Sequence, residues 1–164
     1  MNKKILKKLK KIHLVISDVD GVLTDGGMYY SQKGEILKKF NAKDGMGVEI
    51  LLRSKVKTIL LTREHSNIVK KRGTKIKAAA TYIGIFNKES QLKKICKKFQ
   101  VSLAEIAYIG DDLNDSEIMK LVWFAATPSD GIKDLRKIVD YVCKNNGGHG
   151  AFREIADLIV LSRY

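Results

Sequence analysis

The sequence predicts a three-layer α/β fold built on a mostly parallel sheet. Two observations carry this expectation. Short apolar runs alternate with amphipathic stretches along the chain, the pattern of successive strand–helix units. The first apolar run is hydrophobic on both faces, as expected of a strand covered by helices on either side.

Each element has its own signal. The basic start, with Lys3, Lys4, Lys7, Lys8, Lys10 and Lys11, reads as the solvated face of a leading helical turn. Ile12 to Ser17 is the first strand. Met28–Ser31 and Glu35–Phe40 flank the turn "QKGE" and form a small hairpin. Asp44 to Ser54 is helical, with Val48, Leu51 and Leu52 on one side; Lys57–Leu61 is a strand. His65–Lys75 is a helix and Ala79–Ile83 a short strand. In the helix Lys88–Phe99, Leu92, Ile95, Cys96 and Phe99 recur at i, i+3, i+4, i+7. Ser102 and Glu105 have capping-box spacing, and the strand "IAYIG" follows. Leu113–Leu121 is a helix, Trp123–Ala126 a strand, Gly131–Val139 a helix, and Tyr141 and Val142 a last short strand. "GGHG" then breaks the chain before a helix from Ala151 to about Leu161.

The 164 residues suit one domain, 1–164, with a sizeable core. A hydrophobic fraction of 45% and a charged fraction of 30% fit a soluble globular protein. No apolar run approaches the roughly 18 residues of a membrane span. The apolar run after the basic start is shorter than the 7–15 residues of a signal-peptide core, so a cytoplasmic location is expected. Cys96 and Cys143 lack metal-ligand spacing and read as buried thiols. The net charge of +13 raises nucleic acid binding. The lysines are spread along the whole chain without an aromatic-rich basic strand, which disfavours a nucleic acid partner.

Polar residues follow the strands. Asp18 and Asp20 follow the first, Thr62 follows "KTILL", and Asp111, Asp112 and Asp115 follow "IAYI"; Lys88 opens a helix after the strand around Tyr82. In an open α/β sheet, ligands bind at the carboxyl ends of strands. Carboxylates converging there repel, and a hard divalent cation such as Mg2+ resolves the conflict, the more so where a phosphate also binds. The same inventory supports phosphoryl chemistry. A carboxylate attacks phosphorus, a second acid protonates the leaving alkoxide, and donors hold the equatorial oxygens. Asp18, Asp20, Thr62 and Lys88 fill those roles.

"DVDGVLTD", Thr62, Lys88 and "GDDLND" together resemble the four motifs of the haloacid dehalogenase superfamily. The similarity is closest to its small branch without a cap domain, which hydrolyses phosphorylated 3-deoxy-2-keto sugar acids, either octulosonate 8-phosphates or nonulosonate 9-phosphates. It spans about Lys11 to Val160 and includes "GMYYSQKGEILKKF", "FNAKDGMG" and "GGHGAFREIADLI". The resemblance implies a Rossmann-like parallel sheet with a hairpin flap at about 27–40 and a tail at about 146–164. It implies Asp18 as nucleophile and Asp20 as general acid and then base. Mg2+ would be held by Asp18 and Asp111 with the Asp20 backbone carbonyl. Thr62 and Lys88 would bind the phosphoryl group, and Asp115 would orient metal-bound water or Lys88. Asp25 reads equally as a turn cap, and Asp112 as a charge at a helix N-terminus.

Substrate choice rests on fewer residues. The octulosonate enzymes carry Thr-Gly-Arg at the second motif, where this chain has Thr62-Arg63-Glu64. Glu64 followed eleven residues later by Lys75 resembles the nonulosonate group; a plain surface ion pair is the alternative. Arg63 departs from both groups, where glycine is usual, and adds either crowding or a guanidinium contact. In the family, a neighbouring subunit's tail can close the site, which makes His149 and Arg153 candidate substrate contacts. The resemblance also implies a homotetramer joined through the hairpins, whose Met28, Tyr29, Tyr30, Ile36, Leu37 and Phe40 are very apolar for a free ribbon. A noncatalytic domain serving assembly of a sugar-nucleotide synthetase is the other functional class; the presence of both Asp18 and Asp20 favours catalysis.

Overall fold

The computed structural model describes residues 3–164, and the Lys4 side chain, counted above in the basic face, lies outside that description. The main sheet contains β1 (Leu14–Ser17), β4 (Lys57–Leu61), β5 (Ala80–Tyr82), β6 (Ile106–Ile109), β7 (Phe124–Thr127) and β8 (Tyr141–Val142). Their order is β5-β4-β1-β6-β7-β8 and every pairing is parallel. The chain runs outward from β1 through β4 to β5, then returns to β6 on the other side of β1. The direction therefore reverses beside β1, where a crevice opens at the carboxyl ends of the strands.

Side-chain alternation along these short strands feeds two separate cores. Val15, Leu60, Ala107, Ile109, Phe124 and Ala126 face one side. There they meet α2 (Ala42–Arg53) through Val48 and Leu51, and α6 (Ala151–Leu161) through Phe152, Ile155 and Ile159. α1 (Lys3–Leu9) and α3 (Asn67–Lys75) join this layer through Leu9 and Val69. Leu14, Ile16, Ile59, Leu61, Ile106 and Tyr108 face the other side, against Leu92 and Ile95 of α4 (Leu92–Phe99) and Ile118 and Met119 of α5 (Ser116–Leu121). Strands buried on both faces explain why their sequences read as continuous apolar runs. The antiparallel hairpin β2 (Tyr29–Ser31) and β3 (Gly34–Leu37) stands apart as its own two-stranded ribbon. No helix among the described residues is long and apolar enough to cross a membrane.

Four expectations need correction. The helix expected over Gly131–Val139 is reduced to a 3-10 turn at Leu135–Lys137. The bonds inside the segment are mostly i→i−3 (Leu135 to Ile132, Lys137 to Asp134, Ile138 to Leu135), with a single i→i−4 bond from Val139 to Leu135, so an α-helical ladder does not propagate. Lys88 opens a 3-10 turn, Glu89–Gln91, before α4 begins. Cys96 is half-buried, because Leu92 and Ile95 take the core-facing positions of α4; Cys143 is buried, and both thiols are free. The N-terminal basic face is not wholly solvated, since Lys8 pairs with Asp140 (2.6 Å) and flanks the Trp123 ring together with Lys11.

Candidate active site

β1 ends at Ser17, and the next residue, Asp18, turns into the crevice. Its N–H donates to Ile109 C=O (2.9 Å), continuing the β1–β6 ladder by one bond. Its Oδ1 accepts the Val19 N–H (2.7 Å), and Lys88 Nζ lies 2.9 Å from Oδ2. The Lys88 side chain is fully buried, and its second partner is Asp115 Oδ1 at 2.6 Å. Burial pulls the Lys88 ammonium toward neutrality, but Asp18 and Asp115 outweigh it and hold its pKa above the ordinary value.

Asp115 is saturated. Oδ1 also accepts the Tyr108 hydroxyl (2.6 Å), and Oδ2 accepts the N–H groups of Asp111 (3.0 Å) and Asp112 (3.3 Å). Asp112 caps the turn that follows, with Oδ1 accepting Leu113 N–H at 2.7 Å. Asp111 differs: its Oδ1 is buried and has no hydrogen-bond partner among the described residues. Asp18, Asp111 and Asp115 each offer an oxygen within 4.8 Å of the others. Burial and then the Asp115 charge push the Asp18 carboxyl well up, against the pull of Lys88. Burial, Asp115 and Asp112 push Asp111 up to about 7. One ammonium is insufficient for this group. A hard divalent cation with oxygen ligands fits the donor set, and the orphaned Asp111 Oδ1 is the observation that favours it.

Glycine is required beside this cluster. Gly21 adopts φ +83°, and a Cβ there would lie 1.9 Å from Asp111 Oδ2. The loop Val19–Gly26 is braced from below by the C-terminal tail. Gly148 N–H donates to Val22 C=O (2.9 Å) and Gly148 C=O accepts Asn41 Nδ2 (3.0 Å). Gly147 packs so closely that a Cβ would sit 1.9 Å from the Gly21 carbonyl oxygen.

Thr62 is buried at the end of β4, its N–H bonded to Tyr82 C=O (3.0 Å) and its Oγ1 accepting Glu64 N–H (3.1 Å). The hydroxyl donates to no partner among the described residues, and Thr62 lines the cleft. A cleft of about 740 Å³ joins Asp18, Asp20, Thr62 and Asp111 to a rim of Arg63, Glu64 and Phe86. The Arg63 guanidinium stacks 4.9 Å from the centre of the exposed Phe86 ring.

Not every expected residue is brought here. Lys75 lies at the far end of α3 and lines a separate hollow with Gly45, Glu49 and Arg72. It makes no ion pair with Glu64, so a surface pair between the two is also absent among the described residues. His149 Nδ1 is within 2.8 Å of Gly147 C=O, and Arg153 pairs with Asp157 (2.8 Å) on α6. Neither lines the cleft of its own chain. Asp25 does not join the cluster either; it accepts Gly27 N–H and pairs with Lys39 (2.9 Å) in a turn. Sequence reading missed Tyr108, Asn114, a cleft residue whose Oδ1 is buried with no hydrogen-bond partner among the described residues, and Lys38, whose ammonium lies 2.6 Å from Asp20 Oδ1. A tyrosine in an otherwise aliphatic strand just before the acidic loop was the available sign for Tyr108.

The acidic edge lies at the β1/β6 switch point of the sheet. Residues 51–155 match the family model described as haloacid dehalogenase-like hydrolase, and the chain belongs to that family. Within it, the chain is a phosphoric monoester hydrolase, and its described residues form no cap domain beyond the small hairpin. The 3-deoxy-D-manno-octulosonate 8-phosphate phosphatase of Escherichia coli strain K12 is 35% identical over 159 residues, covering 97% of this chain and 85% of that one. Among solved structures, the Moraxella catarrhalis phosphatase of the same name, in complex with a magnesium ion, a phosphate ion and a KDO molecule, superposes with a TM-score of 0.95 at 32% identity, covering 99% of this chain and 94% of that one. The cobalt-bound form of the Haemophilus influenzae phosphatase gives a TM-score of 0.93 at 33% identity, covering 95% and 91%.

Proposed function

We propose that this chain hydrolyses the phosphate monoester of a 3-deoxy-2-keto sugar acid, with octulosonate 8-phosphate as its substrate. The observation that carries the chemistry is the placement of Asp18, held by Val19 N–H and Lys88 Nζ at the end of β1 and facing the open cleft. The choice of substrate is supported by the E. coli relative at 35% identity over nearly the whole chain.

Each residue has a role in this reading. An Asp18 oxygen attacks phosphorus as the bond to the sugar oxygen breaks, and Asp20 gives that oxygen its proton. Asp20 then takes a proton from water, whose oxygen displaces Asp18 from phosphorus and restores the carboxylate. Thr62 and Lys88 hold equatorial oxygens of the phosphoryl group. Asp115 keeps Lys88 oriented, and Tyr108 fixes Asp115. Asp18, Asp111 and the Asp20 backbone carbonyl would hold Mg2+, which offsets the charge between carboxylate and phosphate when bound. The exposed hairpin residues Tyr30 and Ile36 support a homotetramer joined through that ribbon.

A second reading, a nine-carbon acid 9-phosphate, is favoured by Glu64, an acid at the cleft rim where an arginine would suit a substrate carboxylate. A phosphate-release screen over both substrates decides. The first reading expects the larger kcat/KM with octulosonate 8-phosphate; a preference for the nine-carbon acid reverses the assignment. In that second case Glu64→Arg should shift the ratio toward the shorter acid by one to two decades, the worth of a charge-assisted hydrogen bond of roughly 1.5–3 kcal/mol.

A further inference from the structure

Lys38 follows β3 of the hairpin, and its side chain has no exposure to solvent. A buried ammonium is costly unless its charge is met. Here two carboxylates meet it, Asp20 Oδ1 and Glu35 Oε1, each at 2.6 Å. Burial lowers the Lys38 pKa, yet these two partners outweigh it and hold the group above its ordinary value. Glu35 in turn accepts the hydroxyl of Ser66 through Oε2, and Ser66 is the residue before α3, four after Thr62. A continuous chain, Asp20–Lys38–Glu35–Ser66, thus ties the DxD loop, the hairpin and the loop after β4 together. The other Asp20 oxygen, Oδ2, is buried without a hydrogen-bond partner among the described residues, and Asp20 lines the cleft.

We propose that Lys38 is a positioning residue for Asp20, fixing Oδ1 so that Oδ2 is the oxygen presented to the sugar leaving group. The proposal rests on the reading of Asp20 as general acid. In that step Asp20 enters as the carboxylic acid, with its proton on Oδ2 while Oδ1 still accepts from Lys38 Nζ; the phosphorus–oxygen ester bond breaks, its electron pair goes to the sugar oxygen, and the proton passes from Oδ2 to that oxygen, leaving the Asp20 carboxylate. Glu35 keeps the ammonium between two carboxylates, so it stays beside Asp20 and does not swing toward the incoming phosphate.

Leaving-group dependence separates this role from a structural one. kcat/KM reports steps up to phosphoryl transfer to Asp18, and a p-nitrophenolate leaves without a proton. Lys38→Met should lower kcat/KM for octulosonate 8-phosphate about 100-fold and for p-nitrophenyl phosphate by no more than roughly threefold, the low end of what general acid catalysis supplies. The ratio of the two values does not depend on the fraction of folded protein. Lys38→Arg, which keeps the charge, should restore part of the sugar-phosphate rate. If Lys38→Met does not fold, Glu35→Gln is read in the same way, with a smaller loss confined to the sugar phosphate. Equal losses on both substrates, or none on either, overturn the role of Lys38. Asp20→Asn calibrates the assay. If it shows the leaving-group dependence and the Lys38 variants do not, only the positioning role fails; if Asp20→Asn also lacks it, the general-acid reading fails as well.

Discussion

Asp44 provides a pH-dependent term in stability that can be measured apart from catalysis. It lies in the first turn of α2, is 1% exposed, and its Oδ1 accepts Arg153 N–H (2.9 Å) in the first turn of α6. Its Oδ2 has no hydrogen-bond partner among the described residues. The helix N-terminus favours a negative charge there. Burial is the larger effect, and it pushes the carboxyl from 3.8 up to about 6, with Arg153 N–H and Arg72 opposing. The folded state therefore binds this proton more tightly than the unfolded state does. Stability falls as pH rises from near 4 through 6, and the loss is complete above 7. The gap between 3.8 and about 6 amounts to ~3 kcal/mol at about 1.4 kcal/mol per pH unit. About half is already lost at pH 5. Asp44→Asn keeps an acceptor for Arg153 N–H and removes the titration. In urea unfolding at one protein concentration, the stability of the variant relative to wild type should rise by ~1.4 kcal/mol between pH 5 and pH 8. A difference that is flat over that range refutes the reasoning, and would mean that Asp44 is ionised in the fold as easily as in the unfolded chain.

Two further outcomes are expected. Gly147→Ala would drive a Cβ into the Gly21 carbonyl, so thermal unfolding should show a loss of ~1–3 kcal/mol, with kcat lowered because the loop carrying Asp20 is displaced; wild-type stability and rate in this variant would mean the tail is not a brace. Sedimentation at micromolar concentration should give a tetramer, and Ile36→Asp on the exposed ribbon should shift it toward smaller species; a wild-type monomer would refute assembly through the hairpin.

The strands were legible because burial on both faces leaves unbroken apolar runs, as in "KTILL", whose expected and observed limits coincide. The acidic edge was legible because Asp18 follows β1 directly and Asp111 follows the neighbouring strand β6 after a single glycine. Lys38 was not, because nothing local separates one buried lysine from the other basic residues of a chain with 31 of them; its partner Asp20 is eighteen residues away across a turn. The Gly131–Val139 segment departs from its helical apolar spacing because its backbone closes mainly i→i−3 bonds. The same limit applies to Lys75, whose spacing from Glu64 does not reveal that Lys75 ends α3 while Glu64 precedes the helix at the cleft rim.

The central claim is that Asp18 accepts the phosphoryl group at a site that needs Mg2+. Phosphate release from octulosonate 8-phosphate, measured for the wild type with Mg2+, the wild type with excess chelator, and Asp18→Asn with Mg2+, tests it most directly. The account predicts turnover in the first case and none above background in the other two. Sustained turnover by Asp18→Asn, or by wild type without a divalent cation, would contradict it.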